Sequence, residues 1–288
     1  MSYEAFLFRK MALKSDKARD AGLTIPDEIT YIRDISYGPD AKFHTLDICF
    51  PKDGASTKLP LIISFHGGGY VYGSTKIYQF YCADLARRGF AVVNFNYRLA
   101  PKYKYPAPLQ DMELVMNWLV KEQENYPIDL THVFLVGDSA GAQLVSQYAA
   151  ICTNAEYEKL TGITKPDVTI RAIGLNCGMY DLKKRVGEKA KGITKDYLGR
   201  HPERFAKELD VLHYITSDYP PAYLFSANGD FLKEECEPMA KLLQEKNVPC
   251  AYKIYGDEHT GHVFHVNVRD EIGVAANDDE LNFFRQYL

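Results

Sequence analysis

Val133-Phe134-Leu135-Val136 places four apolar side chains in succession. Successive strand residues face opposite sides, so a strand built this way must be covered on both faces, the condition of a central strand in a parallel sheet. Leu61-Ile62-Ile63 repeats the pattern. Strand signals fall at 30–36, 43–50, 61–65, 91–96, 132–136, 170–176, 222–227 and 251–255, and helix-period stretches at 76–88, 107–124, 140–152, 233–246 and 278–287. Alternation of the two predicts an α/β fold with a mostly parallel eight-stranded sheet, right-handed crossovers and flanking helices. Segment 43–50 differs. It mixes His44, Thr45 and Asp47 with apolar residues, as expected of an antiparallel strand near an edge with one wet face.

A chain of 288 residues is long enough for one large domain or two small ones. The unbroken strand and helix rhythm, without repeat or low-complexity linker, favours one domain over 1–288. Two segments stand outside the rhythm: an amphipathic helix over 2–21 ended by Gly22, and a charged, helical insertion over 183–213. They are read as cap elements, bounded at 2–30 and 181–215, above the carboxyl edge of the sheet where open α/β sheets bind ligands. Ordinary solvated helices are the alternative.

Formal net charge is −4, from 34 basic and 38 acidic side chains without a run of one sign. Nothing in that balance recruits nucleic acid or an anionic membrane. No apolar stretch reaches the roughly 20 residues a bilayer span requires. The apolar segment 5–8 is too short for a signal-peptide core, which makes the cytoplasm the expected location. The six cysteines form no CxxC or finger-like spacing and are expected as reduced thiols packed in the core.

Gly137-Asp138-Ser139-Ala140-Gly141 follows the strand at 132–136 and precedes the helix pattern at 140–152. This is the setting of a nucleophile elbow, in which a serine occupies a strained turn and the residues two before and two after it must be small. His66-Gly67-Gly68-Gly69 follows another buried strand, so unobstructed N–H groups lie at the same sheet edge. A phosphate loop would need a GK[ST] segment, which is missing. The N–H groups of this loop and of Ala140 suit an oxyanion hole.

A serine hydroxyl needs a base, and the base an orienting acid. Ser139, Asp230 and His262 occur in the order this fold demands. His259 and His265 compete for the base, and Asp257 and Asp218 for the acid. Histidines at 259, 262 and 265 also raise a metal reading, which Gly261 disfavours by interrupting a helix. No metal and no organic cofactor is expected.

Together, HGGGYVYGS at 66–74, NYRLAPKYKYPAPLQD at 96–111, GDSAG at 137–141 and GHVFH at 261–265 resemble the hormone-sensitive-lipase-like branch of the α/β hydrolases, carboxylesterases without cofactors. The resemblance covers roughly 43–288 and implies an α/β-hydrolase fold with a small helical cap. It also implies a triad of Ser139, Asp230 and His262, an oxyanion hole from Gly68, Gly69 and Ala140, and a structural loop at 97–101. Ala142, Phe231 and Val263 depart from the usual glycine, proline and glycine, which bears on pocket shape.

The expected activity is hydrolysis of short-chain acyl esters, acetyl to butyryl, through an acyl-enzyme. Alternatives are a deacetylase of acetylated sugars, suggested by Tyr70, Tyr72, Tyr103 and Tyr105, or of xenobiotics, an amidase or peptidase, and a non-catalytic receptor on the same fold. The expected partner is a small-molecule ester; a homo-oligomer is compatible with this reading.

Overall fold

A computed structural model describes residues 1–187 and 191–288; residues 188–190, within the insertion expected at 181–215, lie outside the described residues. In chain order the elements are α1 (Tyr3–Asp20), β1 (Ile29–Ser36), β2 (Thr45–Pro51), β3 (Leu59–Phe65), α2 (Thr75–Ala86) and β4 (Ala91–Phe95). Next come α3 (Ala107–Glu122), β5 (Ile128–Asp138), α4 (Ala140–Thr153), α5 (Ala155–Thr161) and β6 (Ile170–Asn176). The chain continues through α6 (Leu182–Gly187), α7 (Gly192–Leu198), β7 (Ala222–Ala227), α8 (Cys236–Glu245), β8 (Cys250–Tyr255) and α9 (Glu271–Phe284).

One eight-stranded sheet has the order β1-β2-β4-β3-β5-β6-β7-β8. Its first two pairings, β1 with β2 and β2 with β4, are antiparallel and the rest are parallel. The apolar run in β5 explains its place between β3 and β6. Val133 and Leu135 enter the core layer shared with α3, α4 and α8, while Phe134 and Val136 enter the layer of α2 and α9. The carboxyl end of β5 is thereby carried to the middle of the sheet edge.

The early strand differs from expectation. β2 is antiparallel, but Leu46 to Phe50 are all buried and no face is wet, because β1 takes the outer position. Asp47 tolerates burial by accepting the Asp34 N–H at 2.9 Å and the Tyr31 hydroxyl at 3.2 Å. The short helix α5 was absent from the sequence reading; Asn154 caps it by accepting the Glu156 and Tyr157 N–H groups. α9 begins well before 278, where Asp270 caps Ile272 N–H.

α1 starts at a Ser2 cap that accepts the Ala5 N–H at 3.1 Å. Past its end, Gly22 takes φ +74°, a left-handed conformation that costs glycine little. The Ser2 N–H donates to Asp196 of α7 at 2.6 Å, which joins the two segments that stood outside the strand and helix rhythm. Among the described residues the insertion holds α6, α7 and two short 3-10 turns. No helix among the described residues is long and apolar enough to cross a membrane.

Candidate active site

Strand β5 ends and α4 begins within one residue, so Ser139 must reverse the chain alone, at φ 53° and ψ −115°. Holding a side-chain-bearing residue there costs on the order of 1–3 kcal/mol and persists only where the surroundings enforce it. Ser139 N–H donates to Asn176 O at 2.9 Å. A side chain on Gly137 would come 2.5 Å from the Gly141 carbonyl carbon, and one on Gly141 would collide with the Phe65 carbonyl oxygen. Both glycines are therefore required by the close approach of backbones.

The loop after β3 lies against this turn. Gly68 and Gly69 take φ +107° and +59°, and a side chain on Gly68 would strike Tyr72 O. The N–H groups of Gly68, Gly69 and Ala140 donate to no protein atom among the described residues. Ala140 opens α4, where the helix leaves its first amides unpaired and its dipole favours negative charge.

Asp138 ties loop to turn, a role that sequence reading missed. Its Oδ1 accepts the Gly67 N–H at 3.2 Å and its Oδ2 accepts the Tyr78 hydroxyl at 2.8 Å. Tyr78 in turn accepts from Gly67 N–H at 2.9 Å. Burial pushes the Asp138 carboxyl up to about 6, opposed by these bonds and by the nearby His262. The residue stands in the GDSAG segment itself, but its partner Tyr78 is remote in sequence.

His66 is structural. It stacks on Tyr97 at 4.1 Å between ring centroids, its Nδ1 lies 2.8 Å from Gly67 O, and burial lowers it to about 4. The Tyr97 hydroxyl donates to His66 O at 2.7 Å. Arg98 donates to Asp111 through its main-chain N–H at 2.6 Å and its Nε at 2.7 Å. Segment 97–101 thus braces the glycine loop from behind.

His262 and Asp230 meet across separate loops, Nδ1 to Oδ1 at 2.8 Å. Asp230 also accepts Ser226 Oγ and the Leu232 N–H, both at 2.8 Å. Burial works against its charge, but these donors and His262 win, holding the carboxyl below the usual range. The His262 imidazole favours the charge on Asp138, the residue preceding Ser139. Phe231, 75% exposed, has its ring centroid 4.4 Å from that of His262.

Geometry separates the rivals. The side chain of His259 is 85% exposed, whereas His265 is wholly buried and its two nitrogens have no partner among the described residues. Burial lowers His265 to about 3. The three imidazoles therefore point to solvent, to Asp230 and into the core, and do not converge on a metal. Asp257 and Asp218 are exposed. One group of potential metal ligands occurs among the described residues: Cys177, Asp230 and His262, with ligand atoms within 4.8 Å of one another. All six cysteines are free thiols.

Apolar side chains of α1 and α7 lie against the glycine loop. A side chain on Gly69 would lie 3.2 Å from Ile193 of α7 and 3.9 Å from Phe8 of α1. Tyr197 of α7 stacks on Tyr70. Tyr70 and Tyr105 are buried, Tyr72 donates to Asp16 at 2.7 Å, and Tyr103 donates to Asp40 at 2.9 Å.

Residues 62–266 match the family described as alpha/beta hydrolase fold. The chain belongs to the alpha/beta hydrolase fold family. Within this hydrolase family it is similar to an acetyl esterase of Salmonella schwarzengrund, 25% identical over 244 residues, which span 79% of this chain and 72% of the relative. It is similar also to tuliposide A-converting enzyme 1 of Tulipa gesneriana, 27% identical over 255 residues, 81% of this chain and 64% of that protein. Among solved hydrolase structures, esterase B of Lactobacillus rhamnosis superposes with a TM-score of 0.88 at 25% identity, covering 98% of this chain and 93% of the other.

Proposed function

We propose that this hydrolase is a serine carboxylesterase acting on short-chain acyl esters, with Ser139 as nucleophile, His262 as base and Asp230 as its orienting acid. Two observations carry the reading: a serine is held at positive φ on a strand-to-helix turn, and the Nδ1 of His262 is bonded to a buried carboxylate. The esterase names of relatives in the family agree with it.

In this reaction Nδ1–H of His262 donates to Asp230, which leaves Nε2 free to accept the Ser139 proton as Oγ attacks the ester carbonyl. Negative charge on the carbonyl oxygen is met by the N–H groups of Gly68, Gly69 and Ala140, each worth about 3 kcal/mol in the transition state. His262 then protonates the leaving alcohol. Water attacks the acyl-enzyme by the same steps with roles reversed, and Ser139 is restored. Asp230 keeps one tautomer throughout and stabilises the imidazolium.

α1 and the described part of 181–215 serve as the cap, supported by the seating of Phe8 and Ile193 against Gly69. Buried free thiols fit a reducing, cytoplasmic setting. Turnover of p-nitrophenyl acetate tests the reading: Ser139→Ala should lower it by at least about a thousandfold, and near wild-type turnover by that variant would refute it.

A further inference from the structure

α9 carries two polar side chains into the core behind the site. Asn277 and Glu280 are both fully buried and, three positions apart, share one face of the helix. Asn277 Nδ2 donates to His265 O at 3.0 Å, holding the loop that carries His262. Glu280 lies over β6. A side chain on Gly174 would collide with Glu280 Oε1, so glycine makes room for the carboxyl. Asn176 lies on the same strand face two residues on, and its carboxamide is the group that opposes burial in setting the Glu280 carboxyl.

Neither oxygen of Glu280 and neither polar side-chain atom of Asn176 has another hydrogen-bond partner among the described residues, and their mutual contact falls outside ordinary hydrogen-bond geometry. Placing a carboxyl and a carboxamide in an apolar layer is costly unless they serve each other. The main chain of Asn176 is where the nucleophile turn is attached. Its carbonyl accepts the Ser139 N–H at 2.9 Å, and it pairs with Asp138 in the β5 and β6 register.

We propose that Glu280 is a positioning residue for Ser139: as an uncharged acid it pairs with the Asn176 carboxamide, O–H to Oδ1 and Nδ2–H to the carbonyl oxygen, and so fixes the strand end to which the nucleophile turn is tied. Asn277 and Glu280 then make α9 a single brace for the loops of base and nucleophile. Burial supports the uncharged state, pushing Glu280 up to about 8. The titratable groups facing it are Tyr81 from α2 and Tyr223 from β7, whose hydroxyls burial holds uncharged. The proposal rests on the ester-hydrolase reading and deepens it.

The test measures kcat and KM for p-nitrophenyl acetate, and the rate of alkylphosphonate labelling, from about pH 6 to about pH 10. Wild type, Glu280→Gln and Glu280→Leu are compared. Glu280→Gln, which can make the same pair of bonds, should keep kcat within about threefold, while Glu280→Leu should lose about tenfold or more with KM little changed. Wild-type activity should fall as pH passes about 8, and the Gln variant should lack that fall. Wild-type kcat in Glu280→Leu, or one shared alkaline profile for wild type and Glu280→Gln, overturns the role of Glu280. Should the Leu variant not fold, the Gln comparison decides alone. A wild type that neither hydrolyses ester nor labels at Ser139 overturns the ester reading and this proposal with it.

Discussion

Tyr197 of α7 stacks on Tyr70 of the glycine loop, with ring centroids 3.7 Å apart and planes within 3° of parallel. Tyr70 follows Gly69 and its hydroxyl donates to Gln143 Oε1 at 3.0 Å, one helical turn beyond Ser139. The ring therefore spans the two elements that would embrace an ester carbonyl, and Tyr197 covers its face. Gln143 donates to Gln147 at 2.9 Å, which donates to Tyr105 at 3.0 Å, so the space along α4 is filled by bonded side chains. Tyr197→Ala should raise kcat/KM for p-nitrophenyl hexanoate relative to the acetate by about tenfold or more. An unchanged acyl-length profile would show that the stack does not limit the substrate.

Asp138 accepts from Gly67 N–H and Tyr78 Oη with separate oxygens. An asparagine has only one acceptor oxygen, so Asp138→Asn must give up one of the two bonds. The glycine loop would shift relative to Ser139, and misplaced oxyanion donors lower turnover more than binding. The expected result is a fall in kcat of at least about tenfold with a smaller change in KM. Steady-state kinetics within twofold of wild type, on about the same substrate range, would contradict it.

Acid stability follows from two of the buried histidines, His66 and His265. In the folded chain His66 and His265 stay neutral down to about 4 and about 3, whereas an unfolded imidazole takes a proton near about 6.5. Between those limits the unfolded chain binds more protons, so stability is full above about 6.5 and is lost as pH falls toward the folded values. His265→Phe keeps the aromatic contacts with Tyr81 and Phe225 and removes one of these groups. Urea midpoints of that variant should fall less steeply than those of wild type between about pH 6.5 and about pH 4; parallel slopes would count against the assignment.

Much of the architecture was legible in the chain because local pattern and burial coincide. Val133 to Val136 can satisfy two core layers only as a central strand, and Gly137 and Gly141 mark the turn that follows it. Legibility failed where partners are distant. Nothing local distinguishes His262 from His259 and His265, three residues either side. Their separation into solvent-facing, paired and buried rings depends on how the loop after β8 crosses Asp230. Asp138 stood in view, but Tyr78 lies 60 residues away, and no periodicity announces that pair. The wet face expected on β2 vanished because β1, a strand of similar pattern, took the edge.

The central claim is that one hydroxyl in this chain is activated, and covalent capture measures it most directly. Intact-mass and peptide analysis after exposure to a p-nitrophenyl alkylphosphonate should find a single adduct on Ser139, absent from Ser139→Ala and slowed in His262→Ala. An unlabelled wild type, or an adduct carried equally by Ser139→Ala, would contradict the account.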